Sequence, residues 1–264
     1  MEWSSLLLGT IVLRPYVFVF LVVYLTIAIL NMGLVRSIVF TLLAYTIAFL
    51  SEYSSTRIGF PYGFYEYIET TRGQELWISN VPFMDSLSYS FLAYVAYTMA
   101  LFMWSPLKIN RWDIRLVESA RVRRSLRVVF SGAIFFMLMD VIIDPIAFQG
   151  DRWFLGKIYT YKEQGEYFNI PLTNFFGWLL VGASILYSFT RLDGYLERIF
   201  PYKEQEFPAQ ALLGPALYFG VLLFNLAVTF YIGEWALGAC GTSLTLMLFW
   251  LLYQKIRRPK KFSL

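Results

Sequence analysis

The sequence predicts an all-α, polytopic membrane helix bundle of about seven transmembrane helices, a single integral membrane domain over residues 1–264. Three observations carry this. Of the residues, 58% are hydrophobic and 20% aromatic, more apolar side chain than one soluble core could bury. Only 15% are charged, against roughly a quarter in ordinary soluble domains. The apolar residues also fall into runs close to the ~20 residues a helix needs to cross the hydrocarbon core.

Seven runs meet that length, at about 15–31, 35–51, 82–104, 128–148, 172–190, 211–232 and 235–254. Asn31-Met32-Gly33 joins the first two and Gly233-Glu234 the last two, so each of these pairs forms an antiparallel hairpin. Residues 3–13 are too short to span and read as an interfacial segment. The start of the chain lacks a basic region ahead of its first apolar stretch, which argues against a cleaved leader. Trp77, Trp104, Trp153 and Trp235 fall near span ends, where an aromatic belt would place them.

With seven spans and the N-terminus outside, sixteen basic residues fall on the inner side and six on the outer. That asymmetry predicts an N-out, C-in orientation. The inner set includes Arg36, the 105–127 segment, Arg191, Arg198, Lys203, Lys255, Arg257, Arg258, Lys260 and Lys261. The 105–127 segment reads as a topology determinant and lipid-headgroup contact. The net charge of +4 therefore points to the membrane surface, and no nucleic-acid partner is expected.

Several chemistries lack their residues. The chain has no histidine and a single cysteine, Cys240, in an apolar segment. No disulfide and no metal site are expected, and catalysis of the serine–histidine or cysteine–histidine kind is excluded. There is no phosphate-cradling glycine loop. No lysine lies inside a span, which excludes a retinal Schiff base. Asn225 and Glu234, isolated near the last hairpin, read as packing or interfacial groups.

The two long outer loops, about 52–81 and 149–171, stand apart. Loops of this length are uncommon and often functional, and both are rich in Tyr, Phe, Trp and Gly. They should fold back over the helix mouths. Asn80-Val81-Pro82-Phe83-Met84-Asp85 and Asn169-Ile170-Pro171-Leu172-Thr173-Asn174 share one pattern, closed four positions later by Tyr89 and Trp178. Proline suits a first helical turn, where its missing N–H would be unpaired anyway. Asp85 and Asn174 then meet the positive end of a helix dipole.

Upstream, Glu52 precedes Asn80 by 28 residues and Asp140 precedes Asn169 by 29. The pattern reads as one helix–loop–helix unit present twice, a parallel repeat of the kind that builds sites between copies. Asp140 and Asp144 lie four apart and share a helix face, and Pro145 loosens the backbone ladder beside them. Ionisable groups within a span are costly and mark functional sites by default. The structural alternative is an ion pair with Arg57, Arg152 or Lys157 that holds a loop down.

These residues resemble a known family. Glu52, Gly59-Phe60-Pro61-Tyr62-Gly63-Phe64-Tyr65-Glu66-Tyr67 and Val81-Pro82 resemble the first signature of the CruF-type carotenoid biosynthesis proteins. Asp140, Asp144-Pro145, Trp153, Gly165-Glu166-Tyr167-Phe168 and Ile170 to Trp178 resemble the second, so the likeness covers about 45–190. The resemblance implies a carotenoid hydratase, like the bisanhydrobacterioruberin hydratases, in the plasma membrane of a prokaryote. Such enzymes add water across the terminal C=C of an acyclic end group. Related archaeal members act on bacterioruberin precursors. Phe168 departs from a commoner tyrosine-glycine pair and Asp85 stands where polarity varies, which bears on substrate identity.

Alkene hydration needs a carboxylic acid kept protonated, aromatic faces around a tertiary cation, and a polar group to position water. It needs no cofactor. The expected donor is Asp144 or Asp140, and the expected base is Glu52 or Asp85. Asn174 would orient water, while Tyr62, Tyr65, Trp153, Tyr167 and Trp178 would line the cation. The expected partners are an acyclic polyene and membrane lipid. The rival readings are another terpenoid- or carotenoid-modifying membrane enzyme, an isomerase or cyclase, and a non-enzymatic lipid transporter.

Overall fold

A computed structural model describes residues 3–111, 113–117, 119–202 and 208–257. Lys203, Arg258, Lys260 and Lys261, four of the basic residues that set the expected orientation, lie outside this set. Among the described residues, seven helices are long and apolar enough to span a membrane: α2 (Pro15–Met32), α3 (Leu34–Ile58), α4 (Phe83–Trp104), α6 (Leu126–Phe148), α7 (Leu172–Ile199), α8 (Leu213–Tyr231) and α9 (Trp235–Arg257). Two are shorter, α1 (Trp3–Leu13) and α5 (Ala120–Arg123). Six short strands among the described residues pair in twos: β1 (Tyr65–Tyr67) with β6 (Tyr159–Tyr161), β2 (Trp77–Ile78) with β3 (Val81–Pro82), and β4 (Leu107–Asn110) with β5 (Asp113–Leu116).

The helix ends differ from the apolar runs for physical reasons. α3 continues seven residues past 51 because Ser51, Glu52 and Tyr53 lower hydropathy without breaking the backbone ladder. It stops at Gly59, whose φ of 75° closes the helix with a bond from its N–H to Ser55 O. α7 likewise runs on to Ile199 through an amphipathic end that contains Arg191, Asp193 and Glu197. The described residues of the 105–127 segment include the paired strands β4 and β5 and the short helix α5.

α4 is buried over nearly its whole length. α3 and α6 pack on it, α7 closes the four, and α2 and α8 cover its other side. This explains how a span can carry Ser86, Ser88, Ser90 and three tyrosines, Tyr89, Tyr94 and Tyr97: none of them has to face lipid. The outer helices do the opposite. Val19, Val22, Leu42, Leu50, Leu246 and Phe249 are all exposed, large apolar side chains in a number that calls for lipid or a partner to cover them.

Each end of the bundle carries buried charge. At the end away from the long loops, Arg36 donates to Asp193 at 2.9 Å, and Arg123 and Arg124 approach Asp193 and Glu197. At the loop end, Arg14, between α1 and α2, pairs with Glu75 of the first loop at 3.1 Å. Its guanidinium also donates to the Leu155 carbonyl of the second loop. One side chain thus clamps both loops, and Thr10 Oγ1 accepts from Leu76 N at 2.8 Å beside it.

Candidate active site beneath the paired loops

The two long loops join each other. β1 comes from the first and β6 from the second, antiparallel, with Tyr65 opposite Tyr161, Glu66 opposite Thr160 and Tyr67 opposite Tyr159. Successive strand residues point to opposite faces. Glu66 is accordingly exposed while Tyr65, Tyr67 and Tyr159 are buried. The four phenols form the roof of a cavity whose walls are α3, α4, α6 and α7.

The first helix–loop–helix unit supplies Glu52 and Asp85. Glu52 lies two turns before the end of α3 and is 2% exposed. Asp85 lies in the first turn of α4, behind Pro82, which caps that helix. The Tyr67 hydroxyl joins them. It is 3.1 Å from Glu52 Oε1 and also in hydrogen-bond contact with Asp85 Oδ2. Ser86 donates to the other oxygen of Glu52.

The second unit supplies Asp140, Asp144 and Asn174. Pro171 caps α7 and places Asn174 at the turn position that Asp85 holds in α4. Its Nδ2 donates to Asp140 Oδ2 at 2.7 Å and to Asp144 Oδ2 at 3.0 Å. Asp144 accepts further bonds from Tyr159 at 2.5 Å and Tyr161 at 2.8 Å. Asp140 is fully buried behind Asn174, and its Oδ1 has no hydrogen-bond partner among the described residues.

The floor is aromatic. Tyr89 and Trp178, which close the two copies of the motif, stack on one another at 4.7 Å and 18°. Tyr62 approaches both rings at 6.5 Å and holds Ser51 through its hydroxyl at 2.9 Å. Gly177 makes this possible: a Cβ there would lie 2.4 Å from the Tyr62 ring and 2.9 Å from Pro61 O. The cavity is about 80 Å³, where ~10–15 Å³ suffices for one water. It has room for a small branched end group and a water beside it.

Of the residues singled out from sequence, Glu52, Asp85, Asp144, Asn174, Tyr62, Tyr65 and Trp178 line this cavity. Asp140 lies one shell behind it. Trp153 lines a neighbouring apolar cavity, and Tyr167 packs away from both, on Phe168 and Phe175. None of the four acids pairs with a described arginine or lysine. Arg57 holds Asn80 and lies over Tyr53, Arg152 holds Glu234, and Lys157 sits over the Phe148 ring.

The motifs contain Tyr67 and Tyr89 but gave neither a place in the site, and sequence reading did not single out Tyr159, Tyr161, Ser86 or Ser88. The signal for three of them was the alternation Tyr-Glu-Tyr in one loop and Tyr-Thr-Tyr in the other, two short amphipathic strands. Burial, reinforced by the neighbouring carboxylates, pushes the phenols of Tyr67, Tyr159 and Tyr161 well above their usual value. They remain hydrogen-bond donors throughout the physiological range.

The family profile of the carotenoid biosynthesis proteins matches residues 2–249, nearly the whole chain, and the chain belongs to that family. No curated protein and no solved structure matches it. Its role is in carotenoid biosynthesis, and a lipid-dissolved polyene accords with the exposed apolar helices around the site.

Proposed function

We propose that this protein is a carotenoid hydratase that adds water across the terminal C=C of an acyclic end group. The observation that carries this reading is the contrast in hydrogen bonding around the carboxyls on the two sides of one cavity. Asp144 accepts from three donors, an arrangement that favours a carboxylate. Tyr67 has one proton but contacts both Glu52 and Asp85. Both contacts are hydrogen bonds only if one of those acids carries a proton. Since Ser86 already donates to Glu52 Oε2, the simplest arrangement is a protonated Glu52 donating to Tyr67, which donates to an ionised Asp85.

The chemistry then runs from the first unit to the second. The proton held by Glu52 and Tyr67 passes to the less substituted alkene carbon and forms a C–H bond. The π pair is consumed, and a tertiary cation remains on the neighbouring carbon. Tyr89, Trp178 and Tyr62 offer ring faces to that charge, which stabilise it by about 2 kcal/mol or more when desolvated. Water attacks the cation and forms the C–O bond, and its surplus proton goes to Asp144. Asp144 then releases its proton to solvent and Glu52 takes one up, so the net change is one water added, with no oxidant or reductant.

This reverses the expectation that Asp140 or Asp144 donates and that Glu52 or Asp85 is the base. Asp140 becomes a positioning group, since it reaches the cavity only through Asn174. The same reading puts the paired loops on the outer face and the basic end inside. The test is expression in a host that makes lycopene or γ-carotene, followed by mass analysis of the pigments. Products one water heavier are expected. Unchanged pigments would overturn the reading, and isomers of equal mass would replace it with isomerisation or cyclisation.

A further inference from the structure

The acid cavity accepts an end group, and the rest of a long, stiff polyene must go elsewhere. A second cavity of about 80 Å³ adjoins the first, and Asp85, Ser88, Leu92 and Ile143 line both. Beyond this shared wall its lining is mostly apolar, with Val17 and Phe20 of α2 on one side and Val221 of α8 on another; Asn225 also lines it, with its Nδ2 already donating to Val221 O at 2.9 Å. Such a wall offers a hydrocarbon chain contact while asking it for no hydrogen bond.

The far end of the second cavity is closed by rings. Tyr16 of α2 stacks on Phe224 of α8 at 5.4 Å, and Trp153 and Phe154 of the second loop complete the cluster. Trp153 and Phe224 also line a shallow hollow on the outer surface. There Phe154 is 60% and Tyr231 82% exposed. The outer hollow, the Tyr16–Phe224 stack, the second cavity and the carboxyls therefore lie in that order, with the rings as the barrier between surface and interior.

We infer that this second cavity is a binding sleeve for the polyene stem, loaded sideways from the bilayer between α2 and α8. The inference rests on the hydratase reading for what lies at the inner end. Its occupant is the same molecule whose terminus reaches the acids, because the two cavities share a wall. Trp153, which lines the second cavity and not the first, takes its place here as a wall of the chain's path.

The test measures binding and product separately. The protein is purified from a lycopene-producing host, and retained polyene per chain is read by absorbance. Val221→Trp, which fills the sleeve, is expected to lower retained polyene by about tenfold or more, a change of one decade in affinity. Glu52→Gln, at the acid end, is expected to retain it. Should Val221→Trp fail to elute as a folded species, Phe20→Trp on the opposite wall is read in its place. Wild-type polyene content in the filled variants overturns the sleeve, as does loss of bound phospholipid chains alone. If wild-type pigment gains no water yet Val221→Trp still sheds polyene, hydration falls and the sleeve stands.

Discussion

In the first helix–loop–helix unit a phenol joins two carboxyls, whereas in the second a carboxamide does. Tyr67 can donate once, to Glu52 or Asp85, and must accept from the other. Asn174 donates from one nitrogen to both Asp140 and Asp144 and asks neither acid for a proton. In the proposed mechanism the equivalent turn positions, Asp85 and Asn174, thus carry opposite proton inventories on nearly the same backbone. A repeat that builds one cavity from two copies acquires a direction when a single equivalent pair diverges.

The sharpest way to break this comparison is to remove each side's carboxyl separately. Glu52→Gln and Asp144→Asn should each lower hydration by about 10²–10⁴-fold, the range for a general acid or base. Initial rates on one acyclic carotenoid in detergent or vesicles would show it. Their pH profiles should differ, since one variant loses the acid and the other the base. Full activity in either variant would end the directional assignment.

The next effect concerns stability. Arg14 and Glu75 are 2% and 0% exposed at the side chain, and Arg14 also holds the second loop at Leu155 O. Removing one partner of a buried pair costs about 3–5 kcal/mol because the other charge is stranded. Arg14→Met should therefore lower the thermal unfolding midpoint and loosen both loops at once. The double change Arg14→Met with Glu75→Leu should recover most of the loss. A double variant as unstable as the single one would show that the clamp acts by shape instead of charge.

These two predictions also separate what the chain announces from what it conceals. The spans were legible because hydropathy integrates over a whole helix, so Ser51 and Glu52 could blur only an end of α3. The spacing from Pro82 to Asp85 and Tyr89, repeated from Pro171 to Asn174 and Trp178, placed four cavity residues because helix geometry is local. Tyr159 and Tyr161 escaped notice because their positions depend on β1, in the other loop and nearly a hundred residues away. Arg14 and Glu75 meet for the same non-local reason. Asp140 and Asp144 do share a helix face, yet only Asp144 reaches the cavity. The difference is made by Asn174, which sits across Asp140.

Making the second unit resemble the first gives a smaller, more diagnostic effect. Asn174→Asp replaces a donor with an acceptor between two acids. Unless a proton is taken up, two buried acceptors lose a bond, at about 1–3 kcal/mol each. Hydration should fall by roughly 10–100-fold near neutral pH and recover in part as pH is lowered and the added carboxyl protonates. Asn174→Ala also lacks the donor but cannot take up that proton, so it should show no such recovery. Identical pH profiles for the two variants would refute the bridging role.

The mildest prediction joins the two units instead of dividing them. Tyr62, Tyr65 and Tyr67 from the first loop and Tyr159 and Tyr161 from the second all have phenols raised well above their ordinary value, chiefly by burial. In the unfolded chain these groups ionise near pH 10, while in the folded protein they stay neutral to higher pH. Above about pH 10 the folded state therefore binds more protons, and stability falls as pH rises. Below about pH 10 the contribution is fully present. The thermal midpoint should be flat from about pH 7 to about pH 9 and drop beyond about pH 10. Tyr161→Phe should make that drop shallower while Asp144 keeps Tyr159 and Asn174 as donors. An alkaline slope unchanged by Tyr161→Phe would mean that the roof opens before its phenols titrate, and that the β1–β6 pairing, not the acids beneath it, limits the site.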